Sequence, residues 1–159
     1  MVDTQKQTGV SLIEVIVGIG IMSAMLVAIG FSILTYLDAR AALLSNMKSA
    51  YLAEEGYELL RAFRDDDWDA FIALSTDTVL YFDLSTTTIA VSATPEIIDT
   101  DYRRSFIIRD LYRNSNDDVV ASTTSGASVD SDSRIVEIYV ANPNGTTSMQ
   151  AILANVFAQ

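Results

Sequence analysis

At 159 residues with a formal net charge of -11, the chain holds enough for one small domain beside a long apolar segment, and its acidic balance excludes general nucleic-acid binding, which needs a basic track. It has no cysteine and no histidine. Disulfides, thiolate metal sites, histidine-based nucleophilic triads and the commonest transition-metal ligand are therefore ruled out, and neither an enzyme nor a cofactor is expected.

The chain opens with residues 1–8, in which the charges of Asp3 and Lys6 cancel. Gly9-Val10-Ser11-Leu12-Ile13-Glu14 follows, and after Glu14 no charge occurs until Asp38. Residues 15–37 match the length a helix needs to cross a bilayer, about 20 residues at about 1.5 Å each. A secretory signal peptide has a basic start and a shorter apolar centre, so it fits this run poorly. A free carboxylate at the edge of such a slab is costly and calls for a counter-ion. The nearest basic residues are Lys6 and Arg40. A partner from outside the chain would satisfy Glu14.

Gly9, the apolar Val10, Ser11-Leu12-Ile13-Glu14 and the long apolar helix together resemble the cleavage and assembly signal of the type IV pilin superfamily, which includes the pseudopilins of type II secretion. The resemblance implies that a prepilin peptidase cuts after Gly9 and methylates the new amine of Val10. It further implies that Glu14 of one subunit pairs with the Val10 amine of its neighbour during assembly. Glycine suits the cut, since a bare backbone extends readily into a protease cleft. Two departures stand out. Val10 replaces the usual phenylalanine or methionine, and residues 1–9 are less basic than most family leaders. The span also lacks the mid-helix proline of many major pilins and has Gly18, Gly20 and Gly30 instead. These features favour a minor subunit over the main fibre protein.

Past the span, Leu37, Ala41, Leu44, Met47, Tyr51, Leu52, Leu59 and Phe63 keep helical spacing, with Asp38, Arg40, Lys48, Glu54, Glu58 and Arg61 on other faces. One amphipathic helix is expected to continue to Asp65-Asp66-Asp67, where a carboxylate run opposes the helix dipole. Trp68 and Phe71 are then expected to fold back onto the domain. Gly56 interrupts this helix and suggests close packing against a strand.

After Leu74 the composition turns to Ser, Thr and β-branched residues, and strands are predicted over 79–84, 88–91, 103–111, 134–140 and 151–157. Val136, Ile138 and Val140 form an apolar face, as in a sheet covered on one side. In the 103–111 strand the alternation is less clean. Asn142-Pro143-Asn144-Gly145 reads as a hairpin turn, and 117–133 as a long exposed loop. Asp130-Ser131-Asp132 and Asp99-Thr100-Asp101 place carboxylates on alternate residues, a spacing hard cations use. Neither has the later bidentate glutamate, so solvated loops and no metal are expected.

The expected fold class is α+β and pilin-like. A long N-terminal helix, transmembrane in its first half and amphipathic in its second, packs on a small antiparallel β-sheet. The expected organisation is a leader at 1–9, a transmembrane and assembly helix at 10–37, an amphipathic helix and connection at 38–74, and an extracytoplasmic sheet region at 75–159. The resemblance implies a minor-pilin-like structural subunit of a type IV filament. It would be a single-pass protein of the bacterial inner membrane with a cytoplasmic N-terminus before it enters a pilus. Other pilin subunits, prepilin peptidase, the inner-membrane assembly platform and membrane lipid are the implied partners. A type II secretion pseudopilin is the alternative within the family. A membrane-anchored binding domain that never assembles is the alternative outside it.

Overall fold

The structure is a computed structural model that describes residues 11–85 and 88–156. Two compact units divide it, Met1–Ala42 and Leu43–Gln159. Helix α1 runs over Leu12–Asp66 and supplies all the regular structure described in the first unit. In the second unit α1 gives way, among the described residues, to a short helix α2 (Trp68–Ile72) and seven strands. These are β1 (Tyr81–Asp83), β2 (Ala90–Ser92), β3 (Glu96–Ile98), β4 (Tyr102–Arg113), β5 (Val119–Val120), β6 (Ser128–Asn142) and β7 (Gly145–Ala154). The α+β layout expected from the sequence is therefore observed, with a long helix on an antiparallel sheet.

The helix ends at Asp66, where its sequence demands it. Asp67 leaves helical geometry and its carboxylate accepts from the Ala70 N–H, capping α2. This turn folds Phe71 into the core, fully buried, with Trp68 packed 5.5 Å from it between ring centroids.

β3, β4, β6 and β7 lie in that order in one five-stranded antiparallel sheet, and β5 also pairs with β4. β1 and β2 form a separate two-stranded sheet. The inner face of the main sheet carries Phe106 and Ile108 from β4, Val136, Ile138 and Val140 from β6, and Leu153 from β7, all essentially fully buried. Ala53 and Leu60 of α1 and Phe82 of β1 close over them.

The irregular alternation in β4 has a cause. Tyr102, Arg104, Phe106 and Ile108 point inward, but the next inward residue is Leu111, because the register with β6 shifts between Asp110 and Tyr112. The extra residue moves the apolar face by one position. The stretch expected to be one long loop is instead interrupted. β5 pairs with Tyr112 and Arg113, and β6 begins at Ser128, opposite Arg113. Ser and Asp side chains hid this strand, whose pairing runs through the backbone and an Arg113–Asp130 ion pair.

The apolar residues on the second half of α1 divide: Leu52, Leu59 and Phe63 pack against the core as partly buried side chains. Leu44, Met47 and Tyr51 are exposed, whereas the residues buried against the sheet are Ser49, Ala53, Gly56, Leu60 and Arg64. At Ser49, Ala53 and Gly56 the side chains facing the sheet are small, and at Gly56 the approach is close. A Cβ at Gly56 would come within 3.1 Å of the Arg104 Cδ and 3.2 Å of the Ile138 Cγ2.

Polar groups fix this contact at three heights. At the top, Asn142 donates to the buried Ser49 hydroxyl at 2.7 Å, and Tyr102 reaches Ser45 at 3.3 Å. In the middle, the buried Arg104 guanidinium makes two bonds to Glu96 (2.9 and 2.7 Å), donates to the Leu52 carbonyl at 3.2 Å and lies over the Phe82 ring. At the lower end, Arg64 pairs with Asp65 and donates to the Ala154 carbonyl at 3.1 Å.

Candidate assembly site

The site singled out by the sequence lies at the start of α1. Gly9 and Val10 fall outside the described residues; Glu14 is within them. The Ser11 carbonyl accepts from the Glu14 and Val15 N–H groups at 2.9 and 3.3 Å, which starts the helix. Glu14 thus sits in the first turn, where unpaired amides favour a negative charge. It is exposed, and among the described residues no basic side chain lies within ion-pair distance of it.

From Leu12 to Leu37 every apolar side chain larger than alanine is at least 46% exposed. This part of α1 is bare, in contrast to the part beyond Leu43 that carries Ala53 and Leu60 into the core. It is long and apolar enough to cross a membrane. Of the three serine and threonine residues inside the run, Ser32 and Thr35 return their hydroxyls to the carbonyls of Ala28 and Phe31 at 2.9 and 3.0 Å. That removes their need for water, a condition for sitting among lipid tails or apolar partners.

Elsewhere the polar chemistry is spent on structure. Asp130 bonds to Arg113 at 2.6 Å and accepts from the Asp132 N–H at 2.8 Å. The Arg113 hydrogen bond holds the Asp130 carboxyl below the usual carboxylate range. Asp99 pairs with Lys48, whose ammonium also lies 4.5 Å from the Tyr102 ring centre, and the hydrogen bond to Asp99 raises the Lys48 pKa. Both alternating-carboxylate segments therefore have a carboxylate paired with a cation of the chain itself, Asp99 at the exposed surface as expected. Among the described residues no three acidic side chains gather as a metal site would require. A surface groove of about 380 Å³ bordered by Asp77, Arg109, Tyr112 and Ile135 is similarly committed, since Arg109 is held by Glu137 and Asp77 at 3.1 and 3.2 Å.

The sequence reading missed Arg104, Glu96 and Arg64, which anchor α1 to the sheet. Gly56 was the one available signal for that contact. Comparison with family models, with curated proteins and with solved structures finds no match to this chain.

Proposed function

We propose that the chain is a structural subunit, of minor-pilin type, of a type IV filament, cut after Gly9, methylated at the Val10 amine and assembled through α1. The observation that carries this reading is a coincidence at one point in the chain. Gly9, Val10 and Glu14 stand in the order of a prepilin signal, at the head of a helix whose apolar residues from Leu12 to Leu37 are bare. Among the described residues Glu14 has no cationic partner, as the pairing with a neighbour's amine requires. The protein has no catalytic role in this reading. Its acidic sheet unit is the part shown to the outside, and other subunits, prepilin peptidase, the assembly platform and lipid are its partners. The inner membrane is its station before assembly.

Mass spectrometry of the N-terminal peptide from the protein in its native cell tests the proposal. A terminus at Val10 bearing one methyl is expected. A chain that functions with Met1 still attached would overturn it.

A further inference from the structure

The two edges of the main sheet are treated differently. Along β4, the outer edge is covered over its length. β3 pairs with residues 102–104, Leu80 and Thr76 bridge to Phe106 and Ile108, and β5 pairs with Tyr112 and Arg113. Along β7, no strand pairs on the side away from β6 among the described residues. β7 is also long, with 10 residues, and its register with β6 is unbroken from Ser133↔Ala154 to Asn142↔Gly145. An open edge presents the N–H and C=O groups of every second residue and invites another strand. Proteins ordinarily protect such an edge with charge, proline or a bulge. β7 itself has none of these, and only at its end does a charged side chain, Arg64, take the Ala154 carbonyl.

Charge selects the occupant. The chain as a whole carries -11, yet no charged residue follows Glu137. Two copies approaching by most of their surface repel each other. Approaching by β7 they meet no charge on that strand, and Thr146, Ser148, Gln150 and Ile152 lie on the outer face, free to flank their own mates. We propose that β7 is a self-pairing edge, joining two copies of this chain as antiparallel strands about a twofold axis normal to the sheet. Such an axis reverses the direction of residues 43–66 of α1 between the mates. The pair therefore does not form between neighbours along one fibre. Resting on the filament reading, it joins subunits of two fibres lying side by side in opposite directions.

The absence of native cysteine makes the test direct. Single cysteines are placed at Thr146, Ser148, Gln150 and Ile152 in the full chain, purified in detergent and oxidised. Disulfide-linked dimers are expected, with a maximum at one or two adjacent positions of this series, and none from Ser115→Cys, which is exposed but far from β7 in sequence. Adding Gln150→Lys to a cross-linking variant, or Ile152→Lys where Gln150 is the cross-linking position, is expected to abolish the cross-link while the thermal unfolding midpoint stays near that of the parent. Monomers throughout, equal cross-linking at Ser115→Cys, or cross-linking in intact cells to a different protein instead of a second copy overturns the proposal. None of these readouts depends on cleavage after Gly9, so failure here and failure of the filament reading are told apart.

Discussion

Arg104 is 1% exposed in its side chain, and its partner Glu96 is 12% exposed. A guanidinium so placed is stable only because the directions it faces are occupied: two Glu96 oxygens, the Leu52 carbonyl, the Glu55 carboxylate at 3.5 Å and the Phe82 ring. Removing one member of such a pair leaves a buried charge without compensation and costs about 3–5 kcal/mol. Arg104→Met is expected to lose stability on that scale in urea unfolding, and Arg104→Met with Glu96→Gln to recover much of it, since the carboxylate no longer needs a cation. If the double variant were as unstable as the single one, packing of the arginine stem would be the cause instead of its charge. Gly56 belongs to the same contact. Alanine gains about 1 kcal/mol of helix propensity there. Its Cβ, however, meets Arg104, which is held by Glu96, and Ile138, which is fully buried, so neither neighbour can yield freely. Overpacking of this kind costs about 1–3 kcal/mol. Gly56→Ala is expected to be net destabilising, lowering the melting temperature by about 2–4 °C per kcal/mol lost. Gly56 could be read from the sequence as a point of close packing. Arg104 could not, because Leu52 lies far off in the chain and its pairing with Glu96 depends on the β3–β4 register.

Among the elements, β6 shows how far patterning reaches. Val136, Ile138 and Val140 alternate with half-buried residues, and that part of the strand is legible by inspection. So is its turn into β7, where Asn142 pairs with Gly145 and the Asn142 side chain accepts from the Asn144 N–H at 2.7 Å. Gly145 has φ 152°, a backbone shape that residues with a Cβ avoid. The first part of β6 has no such pattern; it follows β4 past the bulge and is fastened by Arg113 to Asp130. The pH response follows from that pair. In the fold the Asp130 pKa lies below its ordinary value of 3.8, first through the Arg113 hydrogen bond. A depressed carboxylate binds fewer protons when folded than when unfolded, so its stabilisation is complete above the unfolded pKa and fades as pH falls through the folded one. Stability is therefore expected to drop below about pH 4. Asp130→Asn is expected to be less stable at neutral pH, with a shallower acid loss. Melting temperatures taken across this range for both proteins check it, and parallel curves would remove Asp130 from the explanation.

Over the whole molecule, the chain divides its apolar residues between two solvents. The sheet unit buries a core of its own, while every large apolar residue of 12–37 is left bare. The sequence made this division legible, since an uninterrupted apolar run and a period-two pattern read differently. The exposed residues Leu44, Met47 and Tyr51 were harder to place, because helical spacing alone does not say which apolar stripe turns to the sheet and which away. Glu14 stands at the head of the bare segment, so the filament reading makes its charge the residue to change. Glu14→Gln keeps the size and the hydrogen-bonding oxygen and removes the charge, and Glu14→Ala removes both. Each is expected to leave the cut after Gly9 intact, since the scissile bond and the apolar span are unchanged. Each is also expected to lower incorporation into sheared filaments by about 100-fold or more, the equivalent of at least about 3 kcal/mol for a buried pair left without one member. The ratio of subunit in filaments to subunit in membranes measures this. Two variants processed at Val10 but stranded in the membrane would assign assembly to the carboxylate charge. Incorporation of Glu14→Gln at the normal level would mean that the helix packs into the fibre through its apolar surface without an ion pair.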